Sequence, residues 1–306
     1  LAAHVAWMRW RSRLPRAALA VGLAALIALA ALPLVRGTAI EKQLVWKQIP
    51  SAWTDAGADL DRDLAPNTRA LVLPGQIFAN YTWGGTTDAI LPRVTDRPVA
   101  IRYETPYGDP HATDLLWTVD RLVTQQRLLP GQLEPLLRLI GAGAVITGSD
   151  DDNSRSGAVN AAAAAAELRR QGLGAPDRAY GPQRRVEAPP GELEPARELP
   201  QVRRYDVEGA RGIVHVEPLS PATIIDGGAE GLAGLAAFGA LPERKPILYA
   251  GDLTPAQLRA QAERGAEVVV SDSNRRRRYV PEFARQNLGA TLPEDEPLDE
   301  NHALIE

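Results

Sequence analysis

Residues 17–35 read AALAVGLAALIALAALPLV, nineteen positions without a charge. Inside a bilayer a backbone must satisfy its own polar groups, and about 20 apolar residues of helix do so. The run therefore predicts one transmembrane helix. Pro33 lies near one end, where a kink costs least, and Gly22 among many alanines offers a small-residue face to other membrane helices. Arg9, Arg11, Arg13 and Arg16 precede the run, whereas Arg36, Lys42 and Lys47 follow it more thinly, with Glu41 among them. The denser basic flank assigns residues 1–16 to the cytoplasm and the larger carboxyl-terminal part to the other side of the membrane. Trp7 and Trp10 before the run, and Trp46 and Trp53 after it, fall where interfacial aromatics are expected. The competing reading is a cleaved signal peptide starting at Met8. Against it, the run is long for a signal and no small-x-small cleavage site follows Val35.

The remainder alternates short apolar runs with helical spacing, which predicts an α/β domain with a mostly parallel, Rossmann-like sheet. Residues 69–73 and 99–103 read as strands, 114–128 and 133–140 as helices, 144–147 as a strand and 159–171 as a helix. Gly141 is expected to end its helix in the left-handed conformation. Residues 175–201 hold Pro189, Pro190, Pro195 and Pro200 among Glu and Arg, and read as an exposed connection. Beyond it, 212–217, 223–225, 246–250 and 267–270 read as strands, and 229–238 and 255–264 as helices. Thr254-Pro255-Ala256-Gln257 is a capping-box pattern. The organisation expected is two α/β lobes, 41–174 and 202–292, joined by 175–201, then an acidic tail over 293–306. A start at Leu1, a single methionine at Met8 and that tail suggest a piece of a longer polypeptide.

Chemistry is sparse. With no cysteine, thiolate catalysis and cysteine-ligated zinc are excluded, and a formal charge of -4 argues against a nucleic-acid partner. No histidine pair has metal-ligand spacing, and no Ser-His-Asp grouping can be assembled. Ligands of open parallel sheets bind beyond the strand carboxyl ends. Here those ends carry Gln76, Asp150, Asp151, Asp252, Asp272, Asn274 and Arg275. If Asp150, Asp252 and Asp272 share a rim, it would hold sugar hydroxyls or a hard cation, or house a carboxylate-dependent hydrolase. The alternative is that each residue caps a helix or shapes a turn. The run 150–153 lacks the glycine and distal glutamate of an EF-hand loop, so no metal is assigned. Asp226-Gly227-Gly228 opens a helix whose amides can hold an anion, or the glycines serve close packing. Trp83, in the loop FANYTWGGTTD, suits a sugar ring if exposed and a core position if buried. His215 lies inside an expected strand, and His111 in a turn before a helix.

Three long segments carry a resemblance. They are ALVLPGQIFANYTWGGTTDAILPRVTDRPVAIRYETPYGD (70–109), LLWTVDRLVTQQRLLPGQLEPLLRLIGAGAVITGSDDD (115–152) and VVVSDSNRRRRYV (268–280). They resemble the large actinobacterial α-(1→3)-arabinofuranosyltransferases, a likeness extending over roughly residues 17–306. The resemblance implies a multi-spanning GT-C membrane glycosyltransferase that builds cell-envelope arabinan from a polyprenyl-phosphate arabinose donor. It implies that the catalytic carboxylate belongs to an upstream loop, so no catalytic residue is assigned in this chain and no cofactor is expected on it. Residues 17–35 would be a late membrane helix. The rest would be an extracytoplasmic support or acceptor-guiding domain, with the upstream membrane domain of the same polypeptide, the arabinan acceptor and the lipid bilayer as partners. A membrane-anchored glycan-binding module stands as the alternative.

Overall fold

The structure is a computed structural model that describes residues 13–37, 46, 48–76, 78–102, 110–152, 160–187, 197–217, 221–242, 245–271, 277–279 and 303–305. It contains two compact units, Leu1–Lys47 and Gln48–Glu306. In the first, helix α1 (Arg13–Val35) holds the 19-residue apolar stretch Ala17–Val35, mean hydropathy 2.6, with none of it buried. At 1.5 Å per residue that stretch is about 28 Å long, close to the hydrocarbon thickness of a bilayer. Leu, Ile and Val side chains exposed all round suit lipid or other apolar helices and not water.

The second unit begins with α2 (Ser51–Asp63), β1 (Arg69–Val72), β2 (Ala79–Tyr81), β3 (Gly84–Thr87) and β4 (Val99–Ala100). Then come α3 (Pro110–Thr124), α4 (Leu133–Ile140), β5 (Ala142–Gly148) and α5 (Ala161–Arg170). Gly141 stands at φ 76° behind α4, the left-handed terminator its position demanded. β6 (Arg178–Val186) and β7 (Arg197–Asp206) complete a five-stranded sheet of order β4-β1-β5-β7-β6.

That sheet is mixed, which corrects the Rossmann-like expectation. β4, β1 and β5 are parallel, but β7 runs antiparallel to both β5 and β6. The reason is the connection. Only ten residues separate β6 from β7, fewer than a parallel crossover needs, so the chain turns back. The presumed exposed connection 175–201 thus supplies a nine-residue strand and the start of another. β6 tolerates its composition because it is an edge: Pro182 sits where the register shifts between Tyr180 and Gln183, and most of the strand is exposed. It is tied down by α2, whose Asp59 accepts from the Tyr180 hydroxyl at 2.8 Å and whose Asp63 pairs with Arg178 at 2.9 Å.

The core lies on both faces of this sheet, sorted by strand alternation. Ala70, Ala144, Ile146 and Val202 pack under α2 with Trp53, Ala56 and Leu60. Leu71, Val145 and Tyr205 face Val119, Val123, Leu133, Leu136, Leu137 and Leu168 from α3, α4 and α5. Trp53, expected at a membrane interface, is 2% exposed in this core. α2 approaches so closely that a Cβ on Gly57 would stand 1.9 Å from the Val94 carbonyl oxygen. Backbone cannot yield as a side-chain tip does. Gly57→Ala is therefore expected to cost about 3 kcal/mol, the upper part of the usual overpacking range, read as a lowered urea midpoint. An unchanged midpoint would show that α2 can slide off the 94 loop freely.

After β7 come β8 (Thr223–Asp226), α6 (Ala229–Ala237), β9 (Ile247–Tyr249), α7 (Pro255–Glu263) and β10 (Glu267–Val270). These form a parallel three-stranded sheet of order β10-β8-β9, with the Thr254–Gln257 capping box in place on α7. A short antiparallel pair joins β11 (Arg277–Tyr279) to β12 (Ala303–Ile305). The expected strand 212–217 is absent. That stretch is held by loop bonds, Ile213 N–H to the Asn67 carbonyl and Val214 N–H to the Asn67 side chain, leaving Val214 and Val216 exposed. His215, expected within it, is exposed as well. Separate lobes over 41–174 and 202–292 are not established: β7 straddles their boundary inside the first sheet, and 48–306 form one compact unit.

Candidate functional site

β5 is the central strand, buried nearly throughout, and Gly148 at its end is followed by Ser149-Asp150-Asp151. Asp150 is fully buried, and three N–H groups converge on its Oδ2: Trp53 Nε1 at 3.0 Å, Trp83 Nε1 at 2.8 Å and Gln201 Nε2 at 2.8 Å. Its Oδ1 has no hydrogen-bond partner. A side chain on Gly148 would meet Trp53 at 3.0 Å and Asp150 Oδ1 at 3.1 Å, tighter than ordinary contact, so glycine lets the indole and carboxylate close over the strand without a shift.

Asp151 follows, bridged to Tyr81 and accepting from Gln76 Nε2 at 2.5 Å. Gln76 turns its Oε1 to the Asn80 N–H at 2.8 Å, which pins the β2–β3 hairpin against β5. That hairpin stacks Trp83 on Tyr81, ring centroids 4.7 Å apart and 10° from parallel. Burial, with Asp150 beside it, pushes the Asp151 carboxyl up to about 8, against the opposing pull of Arg203 and the Gln76 hydrogen bond. Arg203 itself is 1% exposed, and its three guanidinium nitrogens make no hydrogen bond of ordinary geometry, though Tyr205 and Asp151 lie within its field.

Against this cluster opens a polar cleft of about 210 Å³. Asp151 and Ser149 line it from the segment after β5, Thr82 from the hairpin, Asn160 from the start of α5, and Arg184 and Glu187 from β6 and its end. The residue types are short amides, hydroxyls, carboxyls and guanidinium groups, donors and acceptors in mixture. Such a surface matches a ligand rich in hydroxyls.

Four of the sequence-assigned residues, Gln76, Trp83, Asp150 and Asp151, are thus brought together. Trp83 is half-buried on the cluster and serves it through its N–H. Asp252 stands apart in a short turn after β9, 3.0 Å from His111 Nε2, and His111 stacks on Tyr249 at 3.8 Å. Asp150 and Asp252 follow strands of different sheets and have different hydrogen-bond partners. Asp272, Asn274 and Arg275 lie outside the described residues. The amino end of α6 already holds an anion from within: Asp114 of α3 accepts from the Ala229 N–H at 2.8 Å. Among the described residues no group of three or more His, Asp or Glu side chains converges as a metal-ligand set.

Sequence reasoning missed Trp53, Asn160, Arg184, Glu187, Gln201 and Arg203. For Trp53 a signal existed: Ala52, Trp53, Ala56 and Leu60 have helical spacing. For the β6 and β7 residues none did, because charge and proline concealed the strands.

Among the described residues the chain thus has one helix long and apolar enough to cross a membrane, and a mixed α/β unit that carries a polar cleft. Solved structures of similar fold exist. Cryo-EM structures of arabinofuranosyltransferase AftD from mycobacteria, the second of them of a mutant, match at TM-scores of 0.65 and 0.68. Identity is 23% and 24%, over 89% and 95% of this chain and 22% and 23% of theirs, so the likeness is one of fold. The Alpha-(1->3)-arabinofuranosyltransferase of Mycolicibacterium smegmatis is 37% identical over 109 residues, 35% of this chain and 8% of that protein. Residues 1–304 match the family described as "Alpha-(1->3)-arabinofuranosyltransferase, N-terminal GT-C domain", and the chain belongs to that family. It spans less than a quarter of the length of these relatives.

Proposed function

We propose that this chain is part of a membrane arabinofuranosyltransferase that moves arabinofuranose from a polyprenyl-phosphate donor to cell-envelope arabinan. In this reading α1 is one of several membrane helices, residues 48–306 lie outside the cytoplasm, and their role is to support the membrane domain and guide the acceptor. The observation that carries it is the family match over residues 1–304, joined to a cleft whose lining suits hydroxyls. The dense basic flank before α1 supports the orientation. The hydrogen bonding of the buried Asp150 favours a supporting role over a catalytic one. Asp150 is engaged by three donors, and a general base must be free to take a proton from an acceptor hydroxyl.

The test is a transfer assay with lipid-linked arabinose and an arabinan acceptor. The 306-residue chain alone is expected to give no turnover, and the longer polypeptide containing it to be active. Robust turnover by the chain alone would refute the supporting role.

A further inference from the structure

The second sheet is covered unevenly. Its strands are all parallel in the order β10-β8-β9, and Thr223, Ile224 and Ile225 of the middle strand are buried, so β8 is covered on both faces. That is the rule for parallel sheets, whose crossovers lay helices on them. α6 covers the Ile225 face, where a Cβ on Gly231 would stand 3.0 Å from Ile225 Cγ2. The steps from β8 to β9 and from β9 to β10 run in opposite directions across the sheet, so right-handed crossovers set α7 on the other face, that of Ile224. The register puts Val268 beside Ile224 and Val270 beside Asp226, hence on the α7 face. There the cover stops short: Val268 and Val270 are 50% and 63% exposed, and α7 has no buried residue.

The backbone of the same two residues points away from the sheet. Glu267 N–H donates to the Ala222 carbonyl and Ser271 N–H to the Asp226 carbonyl, each at 3.1 Å. Alternate residues of a strand address opposite neighbours, so Val268 and Val270 turn their N–H and C=O groups to the outer edge. Among the described residues no strand pairs there. Proteins usually guard such an edge with proline, bulges or charge. β6, an edge of the first sheet, has Pro182, a register shift and the exposed Arg178 and Arg185. β10 has Glu267 followed by three valines in unbroken register.

We infer that β10 is an inner strand of a wider sheet, to which a further strand of the longer polypeptide, from outside residues 1–306, adds in parallel, its crossover helix packing on Val268 and Val270. The inference rests on the reading of this chain as part of a longer polypeptide, and the relatives are more than four times its length. Handedness selects the occupant. A right-handed step outward from β10, continuing the direction from β9 to β10, lays its helix on the α7 face, where the two valines are bare. One strand–helix unit thus satisfies the edge backbone and the apolar face together. The helix must present an apolar stripe to the valines.

The absence of cysteine lets a single thiol report cover. Val268→Cys and Val270→Cys are made separately in the 306-residue chain in detergent and in the longer polypeptide. A maleimide is the probe, its attachment read by mass on the peptide that bears the new cysteine and its rate taken relative to the same protein unfolded in urea. Both thiols should react readily in the 306-residue chain and at least about thirtyfold more slowly in the longer polypeptide, where reaction waits on local opening. Hydrogen exchange of the Val268 and Val270 amides, which needs no substitution, should slow by at least about a hundredfold in the same comparison. Equal labelling and exchange in the two proteins overturn the inference and leave β10 a true edge. Protection in the 306-residue chain that grows with its concentration assigns the edge to a second copy, and also overturns it. Slowed thiols beside freely exchanging amides overturn the added strand. Arabinose transfer is scored apart: a longer polypeptide that protects both positions yet transfers nothing upholds this interface and sinks the functional reading.

Discussion

Replacing Trp53 with alanine is expected to lower the unfolding free energy by about 3–5 kcal/mol, the range for deleting a large buried aromatic. Among the described residues Trp53 is the largest fully buried side chain, and it fills the space between α2 and the sheet. Its ring meets Tyr81 edge-on at 5.7 Å, and its indole N–H donates to Asp150 at 3.0 Å. Alanine removes the packing and a donor to a buried carboxylate at once. Trp53→Phe separates the two, keeping most of the volume while leaving Asp150 with two donors in place of three. That variant should cost about 1–3 kcal/mol, the penalty of a lost partner for a buried polar group. Urea unfolding of both variants in the full chain decides the matter. If phenylalanine were as stable as tryptophan, the indole N–H would contribute nothing, and Asp150 would not depend on its donors.

Arg102→Met is expected to cost about 3–5 kcal/mol at neutral pH, as when one member of a buried ion pair is removed. Arg102 and Asp120 pair with their side chains only 10% and 1% exposed, and the guanidinium also lies 4.5 Å over the Trp117 ring. Without Arg102, Asp120 keeps the Gly75 N–H at 2.6 Å and, of the cations, only the field of Arg121, which makes no hydrogen bond to it. Burial already holds the Asp120 carboxyl above its ordinary range, while Arg102 and the Gly75 amide pull it down. Losing Arg102 raises it further. A carboxyl with a raised folded pKa binds protons more tightly in the folded state, so its contribution to stability falls as pH rises. The deficit of Arg102→Met should therefore be smallest at acid pH, where Asp120 is protonated in both states, and widen toward neutrality. Adding Asp120→Leu should recover much of the loss, because the buried charge goes with its partner. A double variant as unstable as Arg102→Met at pH 7 would show that packing of the long arginine stem, and not the orphaned carboxylate, carries the effect.

Much of the fold was legible wherever the signal was local. The apolar run gave α1, and glycine at 141 and the Thr254–Gln257 box marked helix ends that the structure keeps. The apolar strand 267–270 and its neighbours 223–225 and 246–250 gave a parallel sheet because the intervening segments are long enough for helical crossovers. Where strands are polar the reading failed. RAYGPQRRV resembles a loop, yet it pairs along β7, since an edge strand needs backbone partners on one side and little apolar surface. Conversely, GIVHVE resembles a strand, but the Ile213 and Val214 N–H groups are taken up by Asn67 and the segment pairs with no described strand.

The candidate site divides in the same way. Composition and spacing alone determined that Gln76 and Asp150-Asp151 stand at strand ends, because apolar runs stop there, and that residues 17–35 can cross a bilayer, because nineteen uncharged residues need no partner outside their own helix. Only the tertiary structure decided that Asp150 is capped by Trp53, Trp83 and Gln201, and that Asp252 belongs elsewhere. Those donors lie 97, 67 and 51 residues from Asp150 in the chain. They meet because a buried carboxylate must collect donors from whatever elements the closing core brings near, and that set depends on sheet order, which no local pattern encodes.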